Sequence, residues 1–375
     1  MSEGKSPVHV RLAARTEVGR VREHNEDNFL IADLSKKIRG DEAFQGEAQI
    51  VGSGSLFAVC DGMGGAAAGE VASQLAVDTI YKMMAESEDA NSVERDVLAR
   101  RLVKAIETAG LSIYTQANAD RSRRGMGTTV TAATLLDHRL FLAQVGDSRG
   151  YILRGDKLTQ VTRDQSLVNQ LIEAGQLTEE EAENFEHNNI ILQALGTADS
   201  VQVDLTHADL KKGDVLLLCS DGLSGMVRND EIREILMRDE EPAVLCKALT
   251  DRANEQGGHD NITVIVGRFD GDGLPAPEEG EAPLKYAKYA LPEEDEGEPT
   301  RAARSGNSLR APSSPAPADS SSEIVAIPSS EGPLNNSSLD DPIELPETAL
   351  PSWAVIVIVA LVIVVLTGLF YVLGK

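Results

Sequence analysis

Residues 56–60 and 215–219 are apolar runs of strand length, and each is followed closely by an aspartate and a glycine, at Asp61-Gly62 and at Ser220-Asp221-Gly222. The strand-like stretches 28–32 and 262–266 reverse that order, with Glu26, Asp27 and Asp260 standing just before the apolar residues begin. If strands that leave and strands that enter are antiparallel neighbours, all five acids land on one sheet edge. Asp147, in Gly146-Asp147-Ser148 between the strand patterns at 140–145 and 151–153, adds a further acid. Carboxylates gathered around one point repel one another, and a hard divalent cation is the simplest reason for bringing them together. The pattern therefore points to a metal-dependent hydrolase.

Helical periodicity supplies the covering layers. Ala72, Leu75, Ala76, Ile80 and Met83 make one apolar stripe, and Leu98, Leu102, Ala105, Ala109 and Ile113 make a second. A more polar helical interval runs over residues 166–185, and two further helices are expected at 231–237 and 242–255. Helix pairs between blocks of hairpin-like strands predict an α+β fold, a four-layer α/β/β/α sandwich of two stacked antiparallel sheets flanked by helix pairs. The same order excludes a dinucleotide fold. Gly62-Met63-Gly64-Gly65-Ala66-Ala67 fits the glycine fingerprint, but a second helix, not a parallel strand, follows, and Asp61 would repel a pyrophosphate.

Composition divides the chain of 375 residues. Twelve of the 15 prolines lie between residues 271 and 350, in a stretch rich in Ser, Ala and Glu that lacks the apolar content to offset its ordering entropy. Three parts are expected: a catalytic domain over 1–270, a disordered acidic Pro/Ser-rich linker over 271–352, and a transmembrane helix over 353–373. The last has 21 residues without a charge, with Trp353 and Tyr371 near its ends, and as a helix spans about 31 Å, enough to cross a bilayer. The first residues, Met1-Ser2-Glu3-Gly4-Lys5, contain no apolar signal segment, so the expected placement is the cell membrane, single-pass, with the catalytic domain cytoplasmic. The formal charge of -25, about -15 of it in residues 1–270 and about -11 in 271–350, argues against a nucleic-acid partner. Cys60, Cys219 and Cys246 lack metal-type spacing and read as reduced core residues.

Six motifs in order carry a family resemblance: Arg22-Glu23-His24-Asn25-Glu26-Asp27, Asp61-Gly62-Met63-Gly64-Gly65, Gly127-Thr128-Thr129, Gly146-Asp147-Ser148-Arg149, Ser220-Asp221-Gly222 and Asp260-Asn261-Ile262-Thr263. Together they resemble the metal-dependent PPM (type 2C) Ser/Thr protein phosphatases over roughly residues 8–269, and Met63 resembles the bacterial branch. The resemblance implies that Asp61 bridges two Mn2+ or Mg2+ ions, with the Gly62 carbonyl and Glu26 on one and Asp221 and Asp260 on the other. It implies further that Asp27 acts through bound water, that Asp147 contributes to a third, weaker site, and that Arg22 holds the substrate phosphate. A water bridging the two ions would attack phosphorus, which needs no protein nucleophile. Arg22 and Asp61 are thus the expected catalytic pair.

The sequence departs from the family pattern at three places. Many relatives carry at position 63 a His suggested as the general acid, whereas the Met63 thioether has no proton to give. In the flap-like stretch, Asp164-Gln165-Ser166 and His187-Asn188-Asn189 replace an expected His and Arg. The expected function is a membrane-tethered phosphatase acting on phosphorylated proteins and opposing a Ser/Thr kinase of the same cell. The alternatives are a non-catalytic phosphoprotein-binding module on a membrane leash and a small-molecule phosphatase.

Overall fold

The computed structural model describes residues 7–40, 45–50, 54–64, 68–86, 94–182, 185, 187, 189–277 and 284–292. In chain order these form β1 (Val8–Glu17), β2 (Asn28–Asp33), β3 (Ile38–Arg39), β4 (Gln45–Ile50), β5 (Ser55–Cys60), β6 (Gly62–Met63), α1 (Ala68–Ala85) and α2 (Arg95–Ala119). The chain continues with β7 (Gly127–Thr128), β8 (Val130–Leu136), β9 (Arg139–Val145), β10 (Arg149–Arg154), β11 (Lys157–Gln160), α3 (Leu167–Glu173) and α4 (Glu179–Ala182). It ends with β12 (Asp204–Asp209), β13 (Val215–Cys219), α5 (Asp221–Ser224), α6 (Asn229–Leu236), α7 (Pro242–Glu255), β14 (Ile262–Asp270) and β15 (Tyr286–Lys288).

Two sheets carry the architecture. One runs β11-β10-β13-β14-β1-β4, the other β15-β12-β9-β8-β5-β2-β3, and their strand pairs are antiparallel. The fully apolar strands owe their composition to covers on both faces. In β5, Leu56, Ala58 and Cys60 join the core under α1 and α2, while Phe57 and Val59 join the core between the sheets. In β13 the split is Leu216 and Leu218 toward the other sheet, and Val215, Leu217 and Cys219 toward α6 and α7. Period-two alternation thus sorts each strand between two apolar environments, and the expected helix, sheet, sheet, helix layering follows.

The expected helices at 72–83 and 98–113 lie within α1 and α2, and those at 231–237 and 242–255 correspond to α6 and α7. Among its described residues the interval 166–185 holds two short helices, α3 and α4, with the Gly175 turn between them. All three cysteines are free and buried. Burial pushes their thiols up; Cys219 and Cys246 reach about 12.

The boundary at Asp270 needs correction, because chain expected to be linker packs on the domain. β15 pairs with β12, Leu274 and Leu284 are buried, and Tyr289 packs edge-on against Phe141 with ring centroids 5.0 Å apart. The Tyr289 hydroxyl also donates to Asp96 on α2, and Arg100 donates to the Pro292 carbonyl. One aromatic ring and two leucines are enough apolar area to dock a short strand that low overall hydropathy disguises. Among the described residues no helix is long and apolar enough to cross a membrane, and the expected span at 353–373 lies outside the described residues. A fragment ending at Asp270 should therefore unfold at least about 2 kcal/mol more easily in urea than one ending at Glu298; equal midpoints and slopes would remove the strap from the folded unit.

Candidate metal centre

Each acid is delivered to the same end of the sandwich by strand direction. Asn28 stands opposite Cys60 in the antiparallel β2/β5 pair, so Asp27 at the entrance of one strand meets Asp61 at the exit of the other. In the facing sheet Arg149 pairs with Cys219 and Cys219 with Val264, which brings the loops holding Asp147, Asp221 and Asp260 alongside. Side chains drawn from five loops, far apart in sequence, therefore share one neighbourhood.

Polar residues beside the acids fix those loops. Asn261 donates from Nδ2 to the carbonyls of Val18 and His24, each at 2.9 Å, and its Oδ1 accepts from the Glu26 N–H at 2.8 Å. It thereby pins the β1–β2 loop that carries Glu26 and Asp27. Ser220 Oγ donates to Asp27 Oδ2 at 2.8 Å while accepting from the Thr263 N–H at 2.9 Å. The Asp61 N–H donates to Thr129 Oγ1 at 3.0 Å, and its carbonyl accepts from the Thr129 N–H and Thr128 Oγ1, both at 2.8 Å. Backbone anchoring of this kind fixes the strand exit and leaves the Asp61 carboxyl to meet Asp221, to which it is hydrogen-bonded.

Two glycines make the close approach possible. A Cβ on Gly62 would lie 2.4 Å from the carbonyl oxygens of Glu26 and Gly69, and one on Gly69 would lie 2.8 Å from Glu26 Oε2. Gly69 sits in the first turn of α1, where its N–H donates to the Glu26 carboxylate. An acid at a helix N-terminus is favoured by the exposed N–H groups there.

The electrostatics are those of crowded carboxyls. Asp27 is pushed up to about 7, first by burial and then by Asp221 and Asp260, against the pull of its hydrogen bonds from Thr263 and Ser220. Burial, followed by the charges of Asp221 and Asp164, lifts Asp147 to about 7 as well. Half-buried Asp61 is held well above the usual carboxylate range by desolvation, then by Asp27 and Asp221, with Asp221 also hydrogen-bonded to it. Desolvation raises Asp221 and Glu26 in the same direction. Three buried oxygens, Asp27 Oδ1, Asp147 Oδ1 and Asp221 Oδ1, have no hydrogen-bond partner. Donor-less anionic oxygens in a desolvated cluster fit a hard cation, since they are the ligands such ions take.

The side chains do not all point at one centre. Among the described residues, no group of three or more His, Cys, Asp or Glu side chains stands close enough to grip a single ion. Asp260 is turned to Arg22, whose guanidinium donates to its Oδ2 at 2.7 Å, and Asp27 is turned to Ser220. Carboxyl rotation about a terminal sp3–sp2 torsion is soft, so these oxygens can be re-aimed without moving the backbone. Arg22 therefore stands at the mouth as the ion-pair partner of Asp260, half exposed.

Asn261, Ser220 and Thr129 are the residues whose roles the sequence motifs do not disclose. Their signal is a polar side chain immediately beside an acid where a strand begins or ends. At a position where the family pattern expects another residue, Gln165 acts as a bridge. Its Oε1 accepts from the Gly146 N–H at 3.0 Å and its Nε2 donates to Asp204 Oδ2 at 3.0 Å. His187 and Asn189 are described; Asn188 is not.

The family described as protein phosphatase 2C matches residues 33–257. The chain is 36% identical over 252 residues to the serine/threonine phosphatase stp of Listeria innocua, covering 67% of this chain and 93% of that protein. It is 37% identical over 257 residues to the serine/threonine protein phosphatase PstP of Mycobacterium tuberculosis, covering 68% of this chain and 44% of that one. Among solved structures, it is similar to the catalytic domain of PstP in complex with two manganese ions, with a TM-score of 0.58, 35% identity, and coverage of 70% and 99%. It is likewise similar to the serine/threonine phosphatase of S. agalactiae, with a TM-score of 0.61, 33% identity, and coverage of 69% and 99%.

The raised acids set a pH dependence whose sign is fixed. A carboxyl at about 7 in the folded chain and about 4 in the unfolded one costs nothing below pH 4, a growing amount from there to 7, and its full amount above. In chelator, Asp27→Asn should melt higher than the parent at pH 8, by the equivalent of about 1–3 kcal/mol, with the gap shrinking toward pH 5. A pH-independent gap in calorimetry would contradict the assigned burial of that charge.

Proposed function

The chain belongs to the protein phosphatase 2C family, and from that premise we propose that it is a metal-dependent protein serine/threonine phosphatase held at a membrane by residues 353–373. The observation that carries the reading is the meeting of Glu26, Asp27, Asp61, Asp147, Asp221 and Asp260 at one end of the sandwich, three of them with an oxygen that no donor satisfies. Asp61, Glu26 and the Gly62 carbonyl, with Asp221 and Asp260, are the groups that would hold two Mn2+ or Mg2+ ions, and Asp147 would serve a third. Bound there, divalent cations supply Lewis acidity toward water and screen the charge of a phosphomonoester dianion. The manganese in the PstP structure supports that choice of cofactor.

The chain's own residues divide the remaining work. Arg22 can offer its fork to phosphate oxygens in place of the Asp260 carboxylate, which positions the dianion at the mouth. Asn261 and Ser220 hold the loops of Glu26 and Asp27 so that the acids keep their separation. Thr128 and Thr129 fix the Asp61 backbone. The Met63 thioether donates no proton, so the leaving alkoxide takes its proton from another source.

Membrane attachment rests on the uncharged run of 21 residues, and kinase opposition on the chemistry of reversing phosphorylation. The Pro/Ser-rich residues between Pro292 and that run, expected as a linker, lie outside the described residues. Attachment of this kind raises the effective concentration toward membrane proteins, and favours phosphorylated receptors or kinases as substrates.

The full chain should hydrolyse a phosphothreonine peptide in Mn2+, stop on chelation, and lose about 10³-fold or more in kcat on Asp61→Ala. A metal-replete chain inert on every phosphopeptide would refute the reading. Removing residues 353–375 should move the protein from the membrane to the soluble fraction with peptide kcat/KM unchanged; fractionation and kinetics on the same preparation check both halves.

A further inference from the structure

α2 ends at Ala119, and the chain turns through Asp120-Arg121-Ser122-Arg123-Arg124-Gly125 before β7 begins at Gly127. Three guanidiniums in four residues stand out in a region whose formal charge is about -15. Local groups account for only one of them. The Asp120 carboxylate accepts from the Ser122 N–H at 2.9 Å and hydroxyl at 2.7 Å, and Arg123 lies 3.6 Å from that carboxylate and donates to Gln116 Oε1 at 2.8 Å. Arg121 and Arg124 are exposed; the Arg124 N–H donates to the Arg121 carbonyl, and neither guanidinium has a hydrogen-bond or ion-pair partner among the described residues. At Gly125, φ is +79°, and no atom lies within 4 Å of the place a Cβ would take, so the turn faces open solvent.

The turn is also placed beside the centre. β7 pairs with β6, Gly127 opposite Met63 and Thr128 opposite Gly62, and the Met126 Cα lies 3.3 Å from where a Cβ on Gly64 would sit. Gly62 is the first residue of β6, and Asp61 directly precedes it. Arg124 is three residues before Gly127, which limits its Cα to about 11 Å from that strand. An extended peptide advances about 3.3 Å per residue. A phosphoresidue at the centre therefore puts side chains roughly three to six positions away within reach of the two guanidiniums.

Resting on the phosphatase reading above, we infer that Arg121 and Arg124 form a docking subsite for acidic side chains flanking the phosphoresidue, so that acidic phosphoproteins are the preferred substrate class. The folded domain as a whole repels such a segment. A local cationic turn next to the reacting phosphate offsets that repulsion where it matters, and selects register through charge pairing with freely available guanidiniums.

The test compares two peptides with the same phosphothreonine core, flanked on both sides by Glu or by Gln, using the full chain in Mn2+. Wild type should favour the Glu peptide by about fivefold or more in kcat/KM, expressed in KM, as two exposed charge pairs allow. Arg121→Ala/Arg124→Ala should remove that preference while kcat on the Gln peptide and the rate on p-nitrophenyl phosphate stay unchanged. Arg121→Glu/Arg124→Glu should turn the preference toward a Lys-flanked peptide. Absence of any preference in wild type, or its survival in the double alanine variant, overturns the subsite and leaves the phosphatase reading standing. Failure of wild type to cleave any phosphopeptide overturns the phosphatase reading instead. In that event fluorescence anisotropy of the labelled Glu peptide decides the subsite: equal affinity for wild type and the double alanine variant overturns it, and weaker binding by the variant supports it.

Discussion

Repulsion among carboxyls that the fold itself forces together is the constraint on which this structure depends. Asp27, Asp61, Asp147 and Asp221 are all raised, and burial is the first cause in each case. An arrangement that costs stability at neutral pH persists only because stronger interactions hold the loops in place. Those interactions are identifiable: two apolar cores sandwiching each sheet, and the Asn261, Ser220 and Thr129 hydrogen bonds that clamp the loops from behind. The site is thus a strained polar mouth on a rigid apolar body, and divalent cations are the charges that would relieve it.

Much of this was legible in the chain because the strands supporting the site are buried on both faces. A run such as 56–60 has no polar residue until Asp61, so the acid marks the strand end sharply, and Asp221 is marked in the same way. The edges were not legible. β12, Asp-Leu-Thr-His-Ala-Asp, buries only Leu205 and Ala208, and β15 is exposed at all three positions, so neither shows the apolar signature that reveals a central strand. Low hydropathy around residue 286 made docked chain resemble linker, although Tyr289 alone joins α2, β9 and β12.

Within the site, the division is similar. Residues that bear charge were recognisable from position, whereas those that hold them were recognisable only in three dimensions. Asn261 acts across 235 residues on Glu26, and Ser220 across 193 on Asp27. Arg22 illustrates the limit in the other direction: its presence near the acids followed from the motif, but its engagement with Asp260 is a property of the folded mouth.

The strap formed by β15 and Tyr289 gives the catalytic body a defined mechanical exit. It pairs with an outer strand through Tyr286, Ala287 and Lys288, then crosses to α2, where Arg100 donates to the Pro292 carbonyl. Tension applied farther along the polypeptide is borne first by this short ladder and its tyrosine latch, in series. The layered core and the acidic mouth are thereby shielded from load until the latch has given way.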